Sequence, residues 1–211
     1  MSKSRRKRKT SAWADNQNRD QFVRKARQEG LRARAAFKLS EIDQKYKLVK
    51  NDSTVVDLGA APGSWSSYVA SKLKGSGRII ALDLLDMDPV TGVEFLQGDF
   101  TESETIEKLQ DLLSGRQIDL VLSDMAPNIT GIAVKDQAGC ELIFDSLMAF
   151  CHQALRDGGD LLFKMFEGEA ANIARKSLKT EFERFHVIKP EASRARSKEV
   201  FFLAKGYLNR N

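Results

Sequence analysis

The sequence predicts an α/β protein: a mostly parallel sheet covered by helices on both faces. Three observations lead to it. From Ser53 onward, short apolar runs alternate with longer amphipathic segments, the pattern of repeated strand–helix units. A glycine-containing turn follows the first of these runs directly, as in open sheets that bind ligands beyond the carboxyl ends of their strands. Asp83, Asp99 and Asp124 then stand at or just past the ends of later apolar runs.

The elements follow in chain order. Residues 1–14 hold six basic residues within the first nine and no apolar periodicity, so a flexible basic arm is expected there. Residues 15–211 are expected to form one domain, with N-terminal helices over 15–47 ahead of the sheet. Leu31, Ala35, Leu39, Ile42 and Tyr46 make a helical stripe over 31–47, and Arg34, Lys38, Glu41 and Lys45 form the adjacent row. Strands are expected at Thr54–Leu58, Arg78–Leu82, Val93–Leu96, Ile118–Leu122 and Asp160–Phe166. Helices are expected at Ser64–Leu73, Glu102–Leu113, Ala138–Leu155 and near Ala170–Lys179. Phe185–Lys189 and Glu199–Ala204 read as a closing hairpin joined by a basic loop, which brings the sheet to seven strands.

Composition narrows the function. Hydrophobic residues make up 42% and charged residues 30% of 211, as in ordinary globular domains. No apolar run approaches the roughly 18 residues of a membrane span. No apolar segment follows the basic start, so a cytoplasmic protein is expected. The net charge of +5 is unevenly spread. Residues 1–38 hold thirteen Lys/Arg against three Asp/Glu, and the rest of the chain holds 21 against 26. A basic segment beside a mildly acidic body points to a polyanion, here nucleic acid. Arg24, Lys25, Arg27, Arg32 and Arg34 extend the basic arm, and phosphate contacts of this kind give affinity without sequence choice. Cys140 and Cys151 have neither redox nor zinc spacing and read as free buried thiols. His152 and His186 have no ligand cluster around them, so no metal is expected.

Asp57-Leu58-Gly59-Ala60-Ala61-Pro62-Gly63 joins the first strand to its helix. Glycines there let the backbone approach a ligand closely. The spacing differs from the dinucleotide pattern of three glycines, which favours a nucleoside without phosphates over a pyrophosphate. Asp83 can accept the two hydroxyls of a ribose, and Asp99 or its neighbours can hold an adenine amine. A cationic sulfonium tolerates this many carboxylates, so the features together indicate S-adenosylmethionine. The competing reading of Asp57 and Asp83 is that they cap turns.

Asp124 follows the fourth strand, and Lys164 closes the apolar run Leu161-Leu162-Phe163. A buried ammonium is costly unless paired or neutral, and the alternative is a lysine reaching out to the surface. Two lysines close together, Lys38 and Lys164, would each ease the other's deprotonation, with Asp124 and Glu199 orienting them. Such a group suits proton abstraction from an alcohol that is then alkylated, a reaction that needs positioning and no metal.

At these residues the chain resembles the FtsJ/RrmJ family of ribosomal RNA 2′-O-ribose methyltransferases. The resemblance rests on Arg34-Ala35-Ala36-Phe37-Lys38-Leu39, Asp57 through Ser66, Ser123-Asp124-Met125-Ala126-Pro127-Asn128, Phe163-Lys164, and Ser193-Arg194 through Ser197-Lys198-Glu199, in the family's order. It implies a Rossmann-like S-adenosylmethionine methyltransferase sheet with an antiparallel last strand. It implies a catalytic tetrad at Lys38, Asp124, Lys164 and Glu199, with Lys164 as the base. It implies cofactor contacts at Gly63, Trp65, Asp83, Asp99 and Asp124. It further implies a monomer acting on a uridine of the 23S rRNA A-loop, in an assembled or nearly assembled large ribosomal particle. The chain departs from the family pattern twice: Ser64 stands where a second glycine is usual, and Phe37 where tyrosine is common. Three other readings compete. A nicotinamide oxidoreductase lacks its third glycine here. A non-catalytic ribosome-assembly factor has no need of Lys164 or Glu199. The same chemistry on tRNA or an mRNA cap is open.

Overall fold

Parallel strands buried on both faces need apolar side chains throughout, and Thr54–Leu58 (β1) is buried at all five positions. The computed structural model describes residues 33–193 and 197–209. The arm expected at 1–14, and the Leu31 start of the first helix, lie outside them. The strands that follow are Arg78–Asp83 (β2), Glu94–Gln97 (β3), Ile118–Ser123 (β4), Leu155–Phe166 (β5), Phe182–Ile188 (β6) and Glu199–Tyr207 (β7). They form one seven-stranded sheet in the order β3-β2-β1-β4-β5-β7-β6. β1 through β5 pair in parallel, and β7 runs antiparallel between β5 and β6.

Alternation along the strands builds two cores. Val56, Leu58, Ile80, Leu82, Val121, Leu161, Phe163 and Phe202 face one side. There they meet Ser103–Leu113 (α3), Ala133–Ala154 (α4) and Glu169–Glu181 (α5) through Leu109, Phe144, Leu147, Cys151, Ala174 and Leu178. Val55, Ile79, Leu120, Leu122, Leu162, Phe201 and Leu203 face the other side. They meet Ala35–Tyr46 (α1) and Ser64–Lys72 (α2) through Leu39, Ile42, Trp65 and Val69. The expected sheet with helices on both faces is therefore present, with its antiparallel last strand. Cys140 and Cys151 are buried free thiols, and burial pushes both up.

The boundaries differ in places for physical reasons. α4 begins at Ala133, five residues before the expected start, because its first turn exposes Val134 and Lys135 and so lacks an apolar stripe. Asp136 holds that turn by accepting Thr130 N and Oγ1 at 2.7 and 2.8 Å and Gly131 N at 3.1 Å. β5 begins at Leu155, ahead of the expected Asp160. It absorbs Gly158, at φ +72°, in a register shift against β4 that sequence alternation does not reveal. β6 starts earlier than expected, at Phe182, because the edge strand tolerates exposed Glu183 and Arg184, and β7 runs on to Tyr207 because it pairs with that extension, Tyr207 opposite Phe182.

The polar row on α1 meets the connector between β6 and β7. Arg34 donates to Ala192 O at 2.6 Å, Lys38 to Glu199, and Glu41 accepts Glu191 N at 2.9 Å. Arg34, expected to serve phosphate, thus also holds protein backbone. Asp43 closes α1 by accepting Leu48 N and Val49 N, and its second oxygen accepts the Tyr68 hydroxyl from α2. His152 pairs with Glu181 at 2.5 Å, and His186 packs beside Tyr46, 5.0 Å between ring centres.

Candidate active site

In the order β3-β2-β1-β4-β5, chain direction through the sheet reverses between β1 and β4, and a crevice forms beyond the strand ends there. It has a volume of about 510 Å³. Among the described residues its walls include Gly59, Asp83, Asp99, Asp124, Met125 and Pro127, and no lysine or arginine. Gly59, at φ +75°, lets the turn after β1 pack against the turn after β4: a Cβ there would meet Met125 Cγ at 2.5 Å.

Two of the three carboxylates in the wall accept backbone N–H groups. Asp83 accepts Ala61 N and Leu85 N, both at 2.8 Å, one on each oxygen. Capping and ligand binding are compatible, because each oxygen keeps a second lone pair. Asp99 accepts Thr101 Oγ1 at 2.7 Å and Thr101 N at 2.8 Å on one oxygen. These bonds hold its carboxyl below the usual range. Such a donor set, acidic and free of cations, fits an uncharged ribose and adenine with a cationic group, and disfavours phosphates.

Gly63 and Trp65 are placed differently from the carboxylates. Gly63, at φ +92°, precedes α2, whose N-terminus has no side-chain cap. Its first amides have no partner within the helix and suit a ligand carboxylate. The Trp65 side chain is turned from the crevice. It is 2% exposed, donates its indole N–H to Ala35 O at 2.8 Å and packs on Phe201, 5.7 Å between ring centres. Any ligand contact at 65 therefore falls to backbone. Trp65 ties the turn after β1 to α1, which carries Lys38. Trp65→Phe removes that hydrogen bond, a cost of about 1 kcal/mol. Scanning calorimetry should register this as a drop in Tm of about 2–4 °C.

Asp57 lies beneath this turn at 1% exposure. Its Oδ2 accepts the Ser66 hydroxyl at 2.6 Å, while its Oδ1, like the buried Ser64 Oγ, has no hydrogen-bond partner. Burial pushes the Asp57 carboxyl up to about 7, helped by the charges of Asp124 and Asp83 and opposed by the Ser66 bonds. Ser64, the residue replacing the usual glycine, fits without exposure.

Two ion pairs stand beside the crevice. Lys164 Nζ donates to Asp124 Oδ1 at 2.9 Å and also to the Asp124 backbone carbonyl. Lys38 Nζ donates to Glu199 Oε1 at 2.6 Å and lies 5.3 Å from the centre of the Phe201 ring. β5 and β7 bring these pairs together: Lys164 is opposite Phe201 and Phe166 opposite Glu199, so Lys164 and Glu199 are diagonal neighbours on one face. The side chains of Lys38, Lys164 and Glu199 are 9%, 10% and 14% exposed, and that of Asp124 is 23% exposed. The group is thus largely dry yet open through Asp124. Each lysine is paired with a carboxylate rather than with the other lysine. Burial alone would raise Glu199, but Lys38, the Ser193 hydroxyl and the charge of Lys164 outweigh it and hold the carboxyl below its usual range.

Sequence reasoning missed three contributors. Ser193 donates its hydroxyl to Glu199 Oε1 at 3.0 Å. Ile143 and Ser146 of α4 line the crevice. Ser193 lay within a quoted motif, but nothing in its type names its acceptor. Ile143 and Ser146 look like any inward-facing helix positions. Among the described residues, no helix is long and apolar enough to cross a membrane.

Comparison with known proteins finds ribosomal RNA methyltransferases. A ribosomal RNA large subunit methyltransferase E from Methylobacillus flagellatus is 46% identical over 194 residues, 92% of this chain and 94% of that protein. One of the same description from Legionella pneumophila strain Corby is 44% identical over 202 residues, 96% of this chain and 98% of that protein. A solved Plasmodium falciparum chain described as a ribosomal RNA methyltransferase superposes with a TM-score of 0.75 at 31% identity, covering 85% of this chain and all of that one. The family model for FtsJ-like methyltransferases matches residues 31–207, nearly the whole described sheet with its helices. The chain belongs to the FtsJ-like methyltransferase family.

Proposed function

We propose that this enzyme methylates the ribose 2′-hydroxyl of a uridine in the A-loop of 23S rRNA, with S-adenosylmethionine as methyl donor. The observation that carries the chemistry is the Lys164–Asp124 pair, 2.9 Å apart, at a crevice walled by the carboxylates Asp83, Asp99 and Asp124. The substrate class follows from relatives that are ribosomal RNA large subunit methyltransferases. When bound, the cofactor supplies a methyl group on cationic sulfur. Asp83 holds its ribose, Asp99 the adenine side and the amides after Gly63 its carboxylate. Asp124 fixes Lys164 at the crevice mouth. Lys164 first releases its ammonium proton to solvent, and the neutral amine then takes the proton of the 2′-hydroxyl as the oxygen attacks, so the alkoxide never stands free. Lys38 and Glu199, held by Ser193, orient the ribose for in-line attack. All of these side chains come from one chain, in keeping with a cytoplasmic monomer acting on a large ribosomal particle.

The test uses S-adenosylmethionine with a labelled methyl group. It is offered with large ribosomal particles lacking the modification, protein-free 23S rRNA or tRNA, and mass spectrometry locates the label. Label on one uridine ribose of 23S rRNA is expected. Label on tRNA would overturn the substrate, and cofactor binding without label on any RNA would favour an assembly factor.

Residues 1–14 are proposed to hold rRNA phosphates. Deleting them removes six Lys/Arg, each of which contributes about 0.9 to the salt slope when it meets a phosphate. RNA affinity should fall and its salt dependence flatten in filter-binding assays. An unchanged slope would leave the arm as a solubilising tail.

A further inference from the structure

The crevice mouth has an apolar rim that the chemistry above does not use. Pro127 and Asn128 line the crevice, and the chain then runs through Ile129, Ile132 and Val134, which are 57%, 54% and 80% exposed. The segment is built to stay out. Asp136 takes its inner polar groups, Thr130 N, Thr130 Oγ1 and Gly131 N, so the aliphatic side chains cannot fold back in exchange for them. Pro127 rests on α4 at Gly139, where a Cβ would meet it at 2.7 Å. The first turn of α4, which carries the end of the segment, is fixed to the start of α5, where Gln137 Oε1 accepts Ala170 N at 3.0 Å, six residues past Lys164. Pro127 also borders a small cavity beside Lys164, so the rim begins next to both the crevice and the lysine.

A strand that brings a 2′-hydroxyl to Lys164 would pass beside the start of this rim at Pro127, with its bases free to lie against the aliphatic side chains. Bases taken out of their stack need an apolar surface to replace it, and aliphatic wedges serve this purpose in other nucleic-acid complexes. We propose that Ile129, Ile132 and Val134 form a docking rim for unstacked nucleobases of the RNA strand on either side of the target ribose. This inference rests on the reading of the crevice as an RNA ribose site.

Two measurements on the full chain test it. In the first, an Ile129→Ser/Ile132→Ser variant is assayed on large ribosomal particles. The KM for particles should rise about tenfold with kcat within about twofold, as for lost uniform binding, while S-adenosylmethionine affinity and Tm stay parental. An unchanged KM would overturn the rim. In the second, Val134 is replaced by photoreactive benzoylphenylalanine and irradiated with the particles. An adduct on a nucleobase within a few nucleotides of the methylated one is expected. An adduct on a ribosomal protein would reassign the rim to a protein partner, and no adduct from particles that the parent methylates would also overturn it. If the parent methylates no RNA at all, the reading of the site falls first.

Discussion

A Lys164→Ala variant is expected to turn over about a thousandfold more slowly, within the range that general-base catalysis provides, while binding S-adenosylmethionine almost as the parent does. The lysine lies at the crevice mouth rather than in the wall proposed for the cofactor, and its bonds run to Asp124 Oδ1 and the Asp124 carbonyl. Removing it takes away the proton acceptor but leaves Asp83, Asp99 and the turn after β1 in place. Single-turnover kinetics with saturating RNA isolates the chemical step, and calorimetry measures cofactor affinity separately. Parallel collapse of both would sink the assignment, because it would make Lys164 a support for Asp124. Lys164→Arg sharpens the test. Arginine keeps the cation beside Asp124 but does not give up its proton, so a base role predicts that it fails like alanine. Recovery with arginine would make the group an electrostatic clamp instead.

How much of this was legible in the sequence depends on which interactions are local. β1 through β4 were placed within a residue or so, because buried parallel strands are uninterrupted apolar runs and the turn after β1 announces itself through Gly59 and Gly63. The start of β5 was hidden because Gly158 and the register shift break the run. The start of α4 was hidden because a helix end facing solvent carries no stripe. At the site, sequence order put Lys38, Asp124, Lys164 and Glu199 in one family pattern, but the partition into Lys38–Glu199 and Lys164–Asp124 depends on β7 inserting beside β5. Strand insertion has no local signature. Trp65 illustrates the same limit: its position in the motif is legible, while the direction of its indole is decided by Ala35 O and Phe201 across the fold.

Asp57 makes the last and most pH-sensitive expectation. Its carboxyl moves from 3.8 to about 7 on folding, chiefly through burial. Native protein therefore binds a proton there that the unfolded chain has lost, across the interval from about pH 4 to 7. Stability falls with rising pH wherever the native state binds more protons. The stabilising contribution of the neutral acid is thus fully present below pH 4 and is lost as pH rises through 7. The full cost of ionising it in place is at most about 4 kcal/mol. Asp57→Asn removes that titration while its amide oxygen can still accept the Ser66 hydroxyl. The variant's advantage over the parent should be smallest near pH 4, grow between pH 4 and 7 and level off by pH 8, as read from urea unfolding in the absence of cofactor. Parent and variant curves that stay parallel across this range would mean that Asp57 is already ionised in the fold. In that case a water or cation would have to satisfy Oδ1, the oxygen without a hydrogen-bond partner. The buried carboxylate would then be a fixed negative charge beneath the cofactor turn, adding to the field of Asp83 and Asp124 at neutral pH instead of switching with it.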